Sequence, residues 1–256
     1  MLPWLTARRS RPRRKSVTLG AGLNMASPCA SALPEKWFGV PVLGVVGVLA
    51  YGRKHLLALE LCAGESFGAW KGCLDDLVAR GLRTPVLGII DGDVGLRRAV
   101  GEIWPRAAVQ RCCVHKLRNL ERKAPKHVLA EIRDDFHRIV YAANVDAARA
   151  AYAAFEHAWS KRCPGVVTSL REGGDELLTF FAFPKAQWKT LRTTNTIERL
   201  HGEFRRRVKT QGSLPGEDAA LILLFSLVAS GQIKLRRIDG WRKIASVLSQ
   251  HTPVAA

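Results

Sequence analysis

The run Val86-Leu87-Gly88-Ile89-Ile90, cut off by Asp91-Gly92-Asp93, constrains this chain more than any other segment. It is too short for a helix and is bounded by Thr84-Pro85 on one side and a carboxylate-glycine turn on the other, so it reads as a buried strand. Helical patterns flank it. Phe67, Trp70, Leu74, Leu77 and Val78 fall on one face of a helix that starts near Glu65 and Ser66 and ends at Gly81. Leu96, Ala99, Val100 and Ile103 mark a second helix that stops at Trp104-Pro105, and Ala107 to Arg111 reads as another strand. Strands alternating with helices indicate an α/β sheet. The carboxyl ends of strands in such a sheet open on a crevice, so Asp91 stands where open α/β sheets place their chemistry.

The surrounding segments complete the outline. Val40 to Leu49 and Leu56 to Cys62 flank the turn Tyr51-Gly52-Arg53-Lys54 and predict a hairpin. From Leu117 to Phe181 the pattern is helical, with Ile132, Phe136, Ile139 and Val140 at helical spacing and Ala147 to Trp159 rich in helix formers. A last pair of helices is expected over about 195–209 and 217–230. Residues 1–34, rich in Arg, Ser, Pro, Ala and Gly, carry no periodicity and read as a disordered basic leader. The expected organisation is therefore a leader (1–34), a sheet portion (35–116), a helical insertion (117–192) and carboxyl-terminal helices (193–256).

Charge narrows the function. Forty Lys and Arg against 22 Asp and Glu give a net charge of +18 and a pI of about 10.3. An excess of this size repels itself unless a polyanion supplies counter-charge, which makes nucleic acid the expected partner. The longest apolar run, Phe38 to Tyr51, is interrupted by Gly39, Pro41, Gly44 and Gly47 and is too short to span a bilayer, so no membrane partner is expected. The basic residues Arg8 to Lys15 precede no apolar stretch of signal-peptide type, which predicts a cytoplasmic protein. The six cysteines, two of them adjacent at Cys112 and Cys113, do not form a secreted disulfide pattern and are expected to be thiols.

Three segments carry chemistry: Asp91-Gly92-Asp93-Val94-Gly95-Leu96, then Gln110-Arg111-Cys112-Cys113-Val114-His115-Lys116-Leu117-Arg118-Asn119, then Asn195-Thr196-Ile197-Glu198-Arg199 followed by Arg205-Arg206-Arg207. Together and in this order they resemble the Mutator-type bacterial insertion-sequence transposases, the insertion sequence 256 family, over roughly residues 35–245. The resemblance implies a ribonuclease-H-like α/β core with a helical insertion before the last catalytic acid. It also implies an activity that cuts and joins DNA at the ends of a mobile element. By that resemblance Asp91 and Glu198 are catalytic acids and metal ligands, and Cys112, His115 and Asn195 belong to the family signature. The physical requirements agree: phosphodiester cleavage and strand transfer need charge neutralised on both attacking and leaving oxygens, which two hard cations such as Mg, or Mn, held by carboxylates supply.

Ile197, Leu200, Phe204 and Val208 form an apolar stripe by which the last helix can dock beside the sheet, with Glu198 on its flank. Arg118, Arg199, Arg205, Arg206, Arg207 and Lys209 are candidate DNA phosphate contacts. Alternatives stand beside each reading. Asn195 and Glu198 have the spacing of a capping box, which spacing alone favours over a catalytic role, and Glu203 is a rival for the third acid. Asp93 rivals Asp91, and Arg118, Arg122, Lys123 and Lys126 also suit an ordinary solvated helix face. A structural zinc at Cys112 and His115 is not expected, because no second pair follows at finger spacing.

The first acid of the family lies on the opening strand of its sheet, and this chain has no Asp before Asp75. Asp75 and Asp76 fall inside the predicted helix before the Asp91 strand. The expectation is an amino-terminally truncated transposase, lacking its opening strand and first Asp, and catalytically defective. The alternative is a non-catalytic basic DNA-binding remnant that interferes with an intact transposase by pairing with it or occupying its DNA. The implied partners are the element ends and target DNA, together with a second transposase chain in a homo-oligomer.

Overall fold

The computed structural model describes residues 23–26, 42–62, 66–208 and 217–251. Five strands, β1 (Leu23–Ala26), β2 (Val42–Val48), β3 (Lys54–Leu61), β4 (Leu87–Ile90) and β5 (Ala108–Arg111), form one sheet in the order β3-β2-β1-β4-β5. β1 and β2 are antiparallel, as are β2 and β3, whereas β4 and β5 run parallel to β1. The helices are α1 (Phe67–Ala79), α2 (Val94–Ile103), α3 (Cys113–Arg122), α4 (Leu129–Val140), α5 (Val145–Trp159), α6 (Pro164–Gly173), α7 (Trp188–Leu191), α8 (Asn195–Val208), α9 (Glu217–Ala229) and α10 (Ile244–His251).

Their ends follow from local chemistry. Ser66 caps α1, its hydroxyl accepting from the Ala69 N–H at 3.2 Å, and Gly81 follows the helix at φ 98°, a conformation costly for any residue with a Cβ. Asn144 caps α5 through the Ala147 N–H at 2.8 Å, and Pro164 opens α6, where its missing N–H costs nothing.

β2 and β4 are buried on both faces, so successive residues of each serve different cores. Ile90 of β4 and Leu43 and Val45 of β2 pack with Trp70, Leu74 and Leu77 of α1 and Leu96, Ala99 and Val100 of α2. Leu87 and Ile89 of β4 face the opposite way, joining Leu120, Ile132, Phe136, Phe155, Trp159 and Leu170 of the helical block. Val46 of β2 packs with Ile197, Leu200 and Phe204 of α8 and Leu224 and Leu227 of α9, which seats α8 against the sheet. Each fully buried side chain of this size contributes roughly 1.5–3 kcal/mol, so the seat of α8 is firm. Val78, expected on the apolar face of α1, is 41% exposed: the face is narrower than its pattern implied.

One expectation is overturned. The sheet does not lack a central strand, because Leu23–Ala26, inside the segment read as a disordered leader, fills it. The physical reason is that β2 and β4 would otherwise face each other across an unpaired row of main-chain groups, a cost that any segment with free N–H and C=O groups relieves. The rest of that leader, 1–22 and 27–34, lies outside the described residues. Among the described residues no helix is long and apolar enough to cross a membrane.

Candidate active site

The site lies where β4, β5 and α8 end or begin. Asp91 directly follows β4, and its Oδ1 accepts from the Asp93 N–H at 3.1 Å, folding the carboxylate into a tight turn. Gly92 holds that turn at φ 113°, and its carbonyl accepts from the Arg111 guanidinium at 3.2 Å. Asp93 is occupied otherwise: its side chain caps α2 by accepting from the Leu96 N–H at 2.7 Å. The two candidate acids of this turn therefore divide the work, with Asp93 serving the helix end. Gly95 is required by close approach, since a Cβ there would lie 2.8 Å from the Phe67 nitrogen. Both glycines of the Asp-Gly-x-x-Gly-Leu segment thus have a backbone reason.

β5 leads into the second segment. The Cys112 N–H donates to the Ile90 carbonyl at 2.7 Å, carrying the parallel pairing one residue past the end of β5. α3 starts at Cys113, whose N–H donates to the Arg192 carbonyl at 2.8 Å, and its first turn carries His115. Cys112 is fully buried, and its sulfur accepts from the Thr194 N–H at 3.3 Å and the Thr194 hydroxyl at 3.2 Å. That hydroxyl also lies 3.2 Å from Nδ1 of His115. The Cys-x-x-His segment is in this way tied to the residue immediately before α8.

From there α8 projects Glu198 toward α3. Its Oε1 lies 3.6 Å from Nε2 of His115, and its two oxygens face the Arg118 guanidinium at 3.5 Å each. The carboxylate of Glu198 is thus directed at α3, and the capping-box alternative does not describe its contacts. Burial works against a charged His115, but the Cys112 sulfur, Asp91 and Glu198 together outweigh it and raise the imidazole pKa above its usual value. Burial likewise disfavours a Cys112 thiolate, and the contacts to His115 and Thr194 overcome it, lowering that thiol. Cys112 joins both sides of this corner: its N–H binds the carbonyl of Ile90, the residue before Asp91, and its sulfur binds Thr194, four residues before Glu198.

The other candidates separate from this corner. Glu203 binds Arg206 at 2.7 Å and Arg207, away from Asp91. Arg199, Arg206 and Arg207 line a groove on another flank of α8. Asn195 is exposed at the first position of α8. The side chain of Arg205, and Lys209 altogether, lie outside the described residues. Among the described residues no group of three or more His, Cys, Asp or Glu is arranged to hold a metal ion.

Three residues hold the corner in place without having been given a role by the sequence, although Gln110 opens the second segment. Thr194 links Cys112 and His115 to α8. Gln110, fully buried in β5, accepts from the Phe180 N–H at 2.8 Å and donates to the carbonyls of Leu177 at 3.1 Å and Arg111 at 2.6 Å. Glu176 receives Arg97 at 2.5 Å and Arg111 at 3.1 Å, bracing the guanidinium that holds Gly92. For Gln110 a signal existed, its place at the head of the Gln-Arg-Cys segment; for Thr194 and Glu176 there was none.

Residues 37–235 match the family described as "Transposase, Mutator family". The chain is 38% identical over 190 residues to the transposase for insertion sequence element ISRM5 of Rhizobium meliloti (strain 1021), covering 73% of this chain and 47% of that protein. It is 35% identical over 208 residues to the transposase for IS6120 of Mycolicibacterium smegmatis, 80% of this chain and 64% of that one. To the transposase for IST2 of Acidithiobacillus ferrooxidans it is 34% identical over 192 residues, 75% and 65% of the two chains. The chain thus spans 47% to 65% of the length of these relatives.

Proposed function

Since this chain belongs to the Mutator family of transposases, we propose that it is an insertion-sequence DNA transposase of the acidic-triad type whose centre retains two acids, Asp91 and Glu198, and is catalytically deficient. The observation that carries the reading is that Cys112 ties the end of β4, where Asp91 stands, to Thr194 at the start of α8, while Glu198 of α8 faces His115. The sheet order, three antiparallel strands followed by two parallel ones, supports a ribonuclease-H-like core. A soluble cytoplasmic protein acting on element ends and target DNA fits its charge and its relatives.

The deficiency is read from β1. Its parallel register with β4 pairs Leu23 with Gly88 and Asn24 with Ile89, an offset of 65, and two steps further it sets Ala26 level with Asp91. β1 reads Leu-Asn-Met-Ala and brings no carboxylate to that level. With Glu198 already facing Arg118 and His115, the two carboxylates fall short of the oxygen set that two hard cations, Mg or Mn, need. When bound, the cations would neutralise charge on the attacking and leaving oxygens of the phosphodiester. The chain's own residues do the rest: Arg118 and His115 orient Glu198, the Asp93 N–H orients Asp91, and Thr194 fixes α8 relative to α3.

The test restores the acid. Titration of the purified chain with Mn is expected to show weak binding that strengthens at least tenfold in Ala26→Asp and is lost in Ala26→Asp with Asp91→Ala. On DNA carrying the element ends, the unaltered chain is expected to bind without cutting. Asp91-dependent cleavage by the unaltered chain would refute the deficiency. Mn affinity indifferent to Asp91 and Glu198 would remove the metal site. The bare β1 also favours a second reading, a DNA-binding chain that pairs with an intact transposase and lowers its activity in mixtures.

A further inference from the structure

A second site lies on α8. A groove of about 320 Å³ is walled by Lys54 at the start of β3, Arg199, Arg206 and Arg207 of α8, and Lys234 and Arg236 from the segment after α9. At about 3.6 residues per turn, Thr196, Arg199, Glu203 and Arg207 share one flank of the helix, turned away from Glu198. One carboxylate, Glu203, lines the groove, and it is already engaged by Arg206 and Arg207. Among the described residues, Lys54, Arg199, Lys234 and Arg236 therefore line a common space with one acid, which two other cations share. Burial first, then Arg199, hold the Lys54 ammonium below its ordinary pKa, and Asp239 pulls only partly the other way. Surroundings so short of negative charge call for an anion.

We propose that this groove grips the sugar–phosphate backbone of DNA at a place separate from the carboxylate corner, next to it along α8. The identity of the anion rests on the transposase reading; the groove itself rests on the clustered cations. Arg199 follows Glu198 but points about 100° round the helix from it, so a strand leaving the corner reaches the groove by passing around α8. From Arg199 to Arg206 the helix advances about 10 Å, which matches about three phosphates of one strand at about 3.4 Å each. Half of the lining residues are Lys or Arg, which recognise the backbone and give little sequence discrimination.

The test is the salt dependence of binding to a duplex of arbitrary sequence, read by fluorescence anisotropy. Neutralising Lys54→Gln, Lys234→Gln and Arg236→Gln together is expected to lower the slope of log affinity against log salt by about 2 to 3, at about 0.9 for each phosphate no longer neutralised. A control triple on exposed residues of the helical block, Arg149→Gln, Lys161→Gln and Lys189→Gln, changes net charge equally and is expected to lower it by less than about 1. The charge-keeping triple Lys54→Arg, Lys234→Arg and Arg236→Lys should retain the original slope, which separates loss of phosphate binding from loss of the fold. If the groove triple and the control triple fall alike, the groove is refuted and the transposase reading stands. If the unaltered chain shows no salt-dependent binding, both fall.

Discussion

Replacing Gln110 with Met removes every polar contact of a fully buried amide while keeping its length and approximate volume. The Phe180 N–H, bonded to Oε1 at 2.8 Å, loses its acceptor in the interior. That alone costs about 1–3 kcal/mol, since the group can no longer reach water. The carbonyls of Leu177 and Arg111 lose donors at 3.1 and 2.6 Å, which the single weak Cys113 thiol, 3.9 Å from each, does not replace. Those losses add roughly 0.5–1.5 kcal/mol, and the better transfer of a thioether to the interior returns a part. The expected net loss is about 2–4 kcal/mol, a large fraction of the roughly 5–15 kcal/mol of an ordinary domain. Urea unfolding should show a lower midpoint with an unchanged slope, and the Phe180 amide should exchange with solvent faster by about two orders of magnitude. A loss below about 0.5 kcal/mol, with Phe180 still protected, would mean that Gln110 does not tie β5 to the helical block.

Further outcomes follow from other contacts. Gly95→Ala should lower the melting temperature, because the new Cβ meets the backbone of Phe67 at 2.8 Å and Ser66 at 3.1 Å, an overpacking cost of about 1–3 kcal/mol. Gly101→Ala, which meets only the far end of Arg97, should instead stabilise by up to about 1 kcal/mol. Cys112→Val strands the Thr194 N–H, for about 1–3 kcal/mol; Cys112→Ser keeps an acceptor and should lose less, as thermal melts of the two variants would show. For Glu172, burial opposes ionisation but Lys116 and Lys123 outweigh it and hold the carboxyl below 4.5. A depressed folded pKa gives stability that is present above the unfolded value and lost as pH falls through the folded one. Because the side chain is 53% exposed, the contribution is at most about 1 kcal/mol. Glu172→Gln should accordingly narrow the melting-temperature difference between about pH 6 and about pH 3, and an unchanged difference would exclude the pair as a contributor.

The amino-acid sequence by itself determined what is local. The Asp91 strand and its abrupt end, the hairpin before it, the cap of α1, and the apolar stripe of α8 are all set by neighbours within a few residues, and hydrophobic periodicity and turn chemistry report such neighbours directly. The three motifs also singled out Asp91, Cys112, His115 and Glu198 without any knowledge of their spatial neighbours. Tertiary structure alone decided which of these meet. Asp93 turned to a helix cap and Asp91 to the corner; Glu198 turned to Arg118 and His115, and Glu203 to the opposite flank; Thr194 became the link between segments 82 residues apart. Leu23–Ala26 shows the limit most clearly. No periodicity marks those residues as a strand, because what makes them one is the pair of strand edges, β2 and β4, whose main-chain groups they satisfy.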